Sequence, residues 1–593
     1  MGRLGGASMK YFSLDKLFSL AFGLVVFWFF AFLYPFHLNY QEQYQMFLFS
    51  ADYFLSFFAK LGGISDYIGN FFTQFYFYSW VGAIIIAVML VVLQRTVWFI
   101  SKRLGAKQLL VPFTFIPSVL YWSLFCDENY LLGGLVVMLI VSGFLATFLI
   151  IKSVKVRVGF VLISIPVLFW IAGGAFVLLP LFALVFETWK RNLKIGQLAL
   201  FAFFSVTLAY AVPTLCKSVF LQYPLRQVWI GTNYFRFPVS LPISVGVVAL
   251  LLLVIPFLLH FLSPIIRAAN SKIILTAQLA VLVFGGYFLI NHSTDRSKEE
   301  VMAYDFNCRM RRWDHVIAMA EKKMPTTPLS VTCLNLALAK EDLLGERMFN
   351  YYQNGVGGLM PDFVRDYTIP MIAGEVYYHL GFINTAQRYA FEAMEALPDY
   401  QKSVRSVMRL AETNIINGNY EVAGKYLRLL QKTFYYRGWA TNAMNTMKDE
   451  KLIAQHPEWG RLRQCRTQED FLFSEGEKDM MLGVLFRQNV ENRMAFEYLM
   501  AYTLLSKDLK HFLQYFPLSE SLKYRAIPKS YQEALYYAWS KTNNDPTKEI
   551  PYPINVATKQ RFQAFQKMPG QANSTSGKNE FSDTYWYYLY FIK

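Results

Sequence analysis

The chain has 593 residues, 55% of them hydrophobic and 17% charged, with a formal net charge of +16. That composition lies on the membrane side of the soluble range and disfavours a soluble single-core enzyme. The charge is unevenly spread, with 19 basic and 7 acidic residues up to position 294, so +12 of the +16 belongs to the apolar half. A basic excess in the loops of a membrane protein follows from the positive-inside bias, and nucleic-acid binding loses its main support.

In chain order, apolar runs at 14–36, 77–99, 108–125, 130–151, 157–171, 175–187, 196–216, 241–263 and 273–291 predict about nine membrane crossings. The first is too long for a cleavable leader, and no small-residue cleavage site follows it. Basic residues recur in alternate loops: Arg3, Lys10 and Lys16; Arg95, Lys102, Arg103 and Lys107; Lys152, Lys155 and Arg157; Lys190, Arg191 and Lys194; Arg267 and Lys272. These loops are expected to be cytoplasmic, which puts the N-terminus inside and everything after 291 outside. The pattern holds only if 157–187 turns back at Ala172, Gly173 and Gly174, making two short helices with Pro166 and Pro180. One tilted helix would invert every later loop.

This topology gathers charge at the external face. The first external loop carries Glu42, Asp52 and Asp66; the tight turn CDENY, residues 126–130, carries Asp127 and Glu128; the loop 217–238 carries Arg226 and Arg236. Carboxylates there suit general-base activation of a hydroxyl or coordination of a hard divalent cation, Mg2+ or Mn2+. Arginines suit a phosphate. The competing readings are a solvated turn for Asp127 and Glu128, the polar edge of interfacial helices for Asp52 and Asp66, and snorkelling for the arginines. The stretch 60–80, KLGGISDYIGNFFTQFYFYSW, is broken at Gly62 and Gly63 and loaded with rings, so it predicts helices lying in the interface, either a lipid-guiding platform or a plain aromatic girdle.

A long first external loop with an acid near its start, an aromatic segment along the membrane, paired acids in a second loop and short broken helices together resemble the GT-C superfamily of membrane glycosyltransferases. The resemblance covers about the first 290 residues. It implies a polyprenyl-phosphate-linked glycan as donor, an external acceptor, Glu42 as the first-loop acid, Asp127 and Glu128 as the second-loop pair, and Arg226 or Arg236 as a donor-phosphate contact. Gln41 and Gln43 flank Glu42 where the family often has paired acids, which leaves a metal-free base as the alternative. The chain is also similar in kind to uncharacterised cell-envelope membrane families.

Beyond 294 the charge density is that of a soluble protein. Residues 373–398 place Gly374, Tyr377, Gly381, Ala386, Ala393 and Pro398 at the spacing of a tetratricopeptide repeat, and Gly418, Tyr420 and Ala423 repeat it about 37 residues on. Weaker echoes lie around Arg312, Trp313 and Gly345, and 495–516 continues the helical pairs. The predicted fold is therefore all-α, with a polytopic membrane domain over 1–294, a TPR-like α-solenoid over 295–545, and a linker with an aromatic tail over 546–593. Solenoids of this type bind proteins or peptides on a concave face, and helix pairs without a ligand are the plain alternative.

The five cysteines and seven histidines show no zinc spacing, and no Walker, dinucleotide or GxSxG motif occurs. A bond between Cys308 and Cys333 would need neighbouring helices. Two functions follow: a glycan transferase whose repeat domain presents the acceptor, or a non-catalytic scaffold at the inner membrane holding a periplasmic protein-binding array. A transporter is disfavoured by the shortage of ionisable residues inside the spans.

Overall fold

The computed structural model describes residues 14–237, 242–265, 271–398, 401–467, 473–543, 550–567 and 580–592. Arg3, Lys10, Arg267 and most of the 569–580 linker lie outside them. Every regular element among the described residues is helical, apart from one isolated antiparallel bridge between Tyr130 and Phe235. The chain divides into two units, Met1–Asp295 and Arg296–Lys593.

In the first unit the helices are α1 Leu14–Trp28, α2 Phe36–Tyr44, α3 Ala51–Phe58, α4 Gly63–Thr73, α5 Ser79–Leu104, α6 Ile116–Leu124, α7 Leu132–Ile150, α8 Val154–Ala172, α9 Leu178–Lys190, α10 Ile195–Val219, α11 Leu225–Ile230, α12 Ile243–Leu262 and α13 Ser271–Ser293. Seven apolar helical stretches among the described residues reach membrane-spanning length, and Gln108–Leu124 is a shorter apolar one. In the stretch ending at Ser293 only 11% of the apolar window is buried, and in Ile195–Val219 only 17%. Such faces are untenable in water and fit a hydrocarbon surround, so the chain is read as a membrane protein. α5 outruns its expected end at 99 and stops at Gly105, whose φ of +103° supplies the left-handed cap.

The stretch Val154–Lys190 is long enough for one steep helix, yet it folds back. Arg157, near the start of α8, donates from Nε to Glu187 Oε1 near the end of α9 at 2.7 Å, and this is possible only if the two helices run antiparallel. Ala172 ends α8, Gly173 turns with φ +57°, and a tight helical turn over Gly173–Val177 leads into α9. Pro180 falls in the first turn of α9, where its missing N–H costs nothing. Asn192 also donates to Glu187, and Arg157 lies over the Phe148 and Phe186 rings. Neither charge is left unpaired in the core.

The hairpin tip is held where three segments cross. The Gly62 amide donates to Trp170 O at 2.9 Å and Ser65 Oγ to Ile171 O at 2.7 Å. Gly62, Gly173 and Gly231 all have positive φ, at +65°, +57° and +70°. A Cβ on Gly62 would lie 2.0 Å from Thr232 Oγ1, one on Gly173 2.7 Å from Ile230 O, and one on Gly231 2.6 Å from Gly173 Cα. Glycine is required here both by conformation and by approach.

The second unit begins with α14 Arg296–Arg309, α15 Trp313–Lys322, α16 Pro328–Lys340 and α17 Leu344–Arg347, followed by α18 Thr368–Leu380, α19 Ile383–Glu395, α20 Val404–Asn417 and α21 Tyr420–Leu430. It continues through α22 Arg437–Thr446, α23 Glu450–Gln455, α24 Trp459–Cys465, α25 Lys478–Gln488, α26 Arg493–Leu505 and α27 Leu509–Tyr515 to α28 Lys529–Thr542, α29 Val556–Gln566 and α30 Tyr585–Phe591. Helices α18 to α21 pack each on the next, and Gly381 and Gly418 cap α18 and α20 with φ +107° and +83°. Tyr377, Ala386, Ala393 and Ala423 are buried, and a Cβ on Gly374 would lie 3.5 Å from Tyr389 Cβ. Pro398 follows α19 by three residues. Tyr420 departs from the expected packing role. It is half-buried at the start of α21, where its hydroxyl binds Glu450 and Arg463.

A buried charge network ties these helices together. Arg405 forks onto Asp305 at 2.7 and 2.9 Å and also reaches Glu375 at 3.2 Å, while Arg409 reaches Glu375 at 2.7 Å and Glu412 at 2.9 Å. Against burial, Arg409, Arg405 and His379 hold the Glu375 carboxyl well below the usual carboxylate range. α24 lies across α18 and α20: Arg461 donates to His379 O at 3.1 Å, Arg463 to Ile415 O at 2.8 Å and Arg466 to Asn417 Oδ1 at 3.0 Å. The aromatic tail packs back on α28, with Trp586 fully buried and donating to Glu533 O at 2.9 Å. The 550–567 and 580–592 stretches thus belong to the second unit.

Gly173→Ala and Gly231→Ala should each cost about 2 kcal/mol or more in thermal unfolding of the detergent-purified protein. Gly143→Ala, where a Cβ meets nothing within 4 Å, should be neutral or stabilising by up to about 1 kcal/mol. Burial raises Glu533 to about 7, so between its unfolded value and that point the folded chain binds the extra proton. Stability drawn from this group is present at low pH and lost as pH rises to about 7. Glu533→Gln should therefore gain melting temperature relative to the parent between pH 5 and pH 8.

Candidate functional site

The site is built on α2. Tyr34 and Pro35 break the first apolar run, and α2 turns almost wholly inward, with His37 through Tyr44 all buried. Asn39 Nδ2 donates to Tyr76 O at 2.8 Å and Phe77 O at 3.1 Å, fixing α2 against the end of the first long loop. Tyr34 Oη donates to Cys126 O at 3.2 Å.

α2 grips the turn that carries the paired acids. Gln41 Nε2 donates to Glu128 O at 3.1 Å and Tyr130 O at 3.0 Å, and Tyr44 Oη donates to Glu128 O at 2.7 Å. Asp127 Oδ1 accepts from the Asn129 amide at 2.9 Å and from Asn129 Nδ2 at 3.2 Å, and Glu128 Oε1 accepts from Asn129 Nδ2 at 3.0 Å. This is a local Asx turn. The third segment closes over it: Leu131 N donates to Tyr234 O at 3.0 Å and Arg236 N to Asn129 O at 2.8 Å.

Arg236 is 5% exposed and Glu42 2%. The guanidinium donates from Nη1 to Tyr40 Oη at 3.0 Å and lies 4.9 Å from the Tyr44 ring centroid and 4.6 Å from that of Phe237. Burial pushes the Tyr44 phenol up, Arg236 pulls it down, and Tyr40, Glu128 and Asp127 push it up further. The Tyr44 hydroxyl is thus a neutral donor within electrostatic reach of Arg236 and both turn acids.

Three segments meet at one junction: α2, which carries the buried Glu42, the turn of Asp127 and Glu128, and the segment that carries Arg236. Two expected members stay away from it. Asp52 is exposed in the first turn of α3, behind the Ser50 cap, where it complements the helix dipole. Arg226 is exposed on α11, a six-residue helix that buries Val228 instead. Asp66 sits at the start of α4 with Oδ1 2.8 Å from where a Gly133 Cβ would be, against the first turn of α7. Tyr40, Tyr44 and Asn129 were not singled out by the sequence; only their position around Glu42 and within CDENY could have marked them. Among the described residues no three His, Cys, Asp or Glu side chains form a metal-holding group.

A family model matches residues 10–592, nearly the whole chain. The chain belongs to DUF6057, a family of unknown function. No curated protein and no solved structure matches it. In this DUF6057 chain, Gln41 satisfies two carbonyls of the acid-bearing turn, whereas Tyr44 shares one of them. Gln41→Ala should therefore cost about 1–3 kcal/mol and Tyr44→Phe about 1 kcal/mol in thermal unfolding.

Proposed function

We propose that this chain is an inner-membrane glycosyltransferase of the GT-C kind, moving a sugar or glycan from a polyprenyl-phosphate-linked donor to an extracytoplasmic protein acceptor. The observation that carries the reading is the buried Arg236, clamped by Tyr40 and Tyr44 beside the Asp127–Glu128 turn and on the helix of Glu42. An arginine fixed in an aromatic cage is a preorganised charge for a leaving phosphate.

In the proposed topology the chain crosses nine times, N-terminus inside and second unit in the periplasm. The antiparallel α8 and α9 support it, as does the shorter apolar stretch Gln108–Leu124. The basic loops then share the cytoplasmic side. Arg236 neutralises the departing phosphate, and Glu42 or Asp127 takes the proton of the acceptor hydroxyl. Arg226, exposed on α11 and away from the junction, is left without a role in this reading. The exposed Phe49, Phe54, Leu55 and Phe58 around α3 form the apolar face along which a lipid tail lies. The chemistry is written without a metal; Mg2+ or Mn2+ held by Glu42, Asp127 and Glu128 is the variant. The helix pairs α18–α21 are read as tetratricopeptide-like and present the acceptor.

A second reading, a membrane-anchored scaffold, is favoured by one observation: Asp127 and Glu128 both accept hydrogen bonds from Asn129 within their own turn. Transfer from a purified polyprenyl-linked glycan pool to envelope proteins separates the two. Arg236→Lys keeps charge but loses the fork and should lower the rate about 10²-fold or more, with Glu42→Gln or Asp127→Asn doing likewise for whichever acid is the base. EDTA should leave the rate unchanged. Equal rates in all variants at equal folded amounts would favour the scaffold.

A further inference from the structure

Cys308 lies on α14 and Cys333 on α16, and these two helices pack along each other. Both side chains are buried, at 1% and 2% exposure. Cys308 Sγ is 3.5 Å from the Cys333 carbonyl oxygen. The two cysteines face a narrow cleft with Asp305, Thr332, Ile372 and Glu375. A thiol that reaches the backbone of the second cysteine across two packed helices meets the first geometric demand of a disulfide, close approach of the two residues, which sequence spacing could not show.

We propose that Cys308 and Cys333 are a disulfide-forming pair that staples α14 to α16. The same α14 is fastened to α20 by the Asp305–Arg405 fork one turn before Cys308, so the staple would complete the anchoring of the first helix of the second unit. The oxidant is a disulfide, either glutathione disulfide or that of a thiol oxidoreductase. One cysteine thiolate attacks it to form a mixed disulfide and expels one thiol. The other cysteine then attacks the mixed disulfide, releasing the second thiol and forming the Cys308–Cys333 bond. Two electrons pass to the oxidant, and its two sulfurs leave carrying the two protons. Burial pushes the Cys308 thiol up, aided by Cys333, Asp305 and Glu375, so attack requires α14 to part locally from α16. The bond closes a 25-residue separation and constrains the unfolded chain.

The pairing itself is independent of the transferase reading; its presence in the isolated protein rests on the extracytoplasmic placement proposed for the second unit. The test treats the detergent-purified full chain with glutathione disulfide, alkylates remaining thiols in SDS and maps peptides without reduction. A linked Cys308–Cys333 peptide, abolished by Cys308→Ser or Cys333→Ser and retained in Cys465→Ser, supports the staple, as does a melting temperature that rises by about 3 °C or more on oxidation of the parent alone. Full alkylation of both cysteines after oxidation that leaves the chain folded overturns it. A bond that forms in the tube while the freshly isolated chain is reduced keeps the staple and counts against a periplasmic second unit.

Discussion

Three backbone segments of the first unit cross at a point with no room for a Cβ, and the arrangement of its acid-bearing end depends on that crossing. Gly62 belongs to the first long loop, Gly173 to the hairpin tip and Gly231 to the segment that leads to Arg236. Because each has positive φ and each abuts another's backbone, displacing one displaces all three. Five residues beyond Gly231, Arg236 enters between Tyr40 and Tyr44. The tip is in turn fixed by the opposite end of the hairpin, where the buried Arg157–Glu187 pair aligns α8 with α9. Such pairs add little net stability over an apolar core, and they specify register because a slipped pairing would bury an unpaired charge.

The second unit uses the same device. Asp305, Glu375, Arg405 and Arg409 come from α14, α18 and α20 and meet below the surface. Helix pairs of this kind contact mainly their neighbours in sequence, so a network joining α14 to α20 adds long-range order that stacking alone lacks. α24 then covers part of α18 and α20, using arginines aimed at helix C-terminal carbonyls, where positive charge is favoured. Any acceptor presented by these helices would have to use what α24 leaves open.

Much of this was legible in the sequence because its signals are local. Apolar runs marked the long helices to within a few residues, Gly381 and Gly418 marked two helix caps, and the charge rule required 157–187 to fold back as it does. Glu42, Asp127 and Glu128 stood out in the sequence because burying or tightly turning a carboxylate is costly, and the structure does bury Glu42 and hold Asp127 and Glu128 in a tight turn. What escaped is what depends on distant pairing. Tyr40 and Tyr44 are two tyrosines in a chain with 38, and nothing local distinguishes them until Arg236 arrives 196 residues later. Arg226 and Arg236 looked equivalent, but one turn of helix points the first outward while the bridge at Phe235 draws the second in. The 100-residue span from Asp305 to Arg405 is likewise invisible to any periodicity.

The account stands on the fold-back at Gly173, and the most direct test is sidedness on its two flanks. In a background with the native cysteines replaced by serine, Lys152→Cys and Lys194→Cys would be reacted with a membrane-impermeant maleimide in intact and in permeabilised cells. The account predicts that both stay unlabelled in intact cells and both label after permeabilisation, so that they share the inner side. Labelling of Lys194→Cys from outside while Lys152→Cys remains protected would mean a single crossing between them and would contradict it.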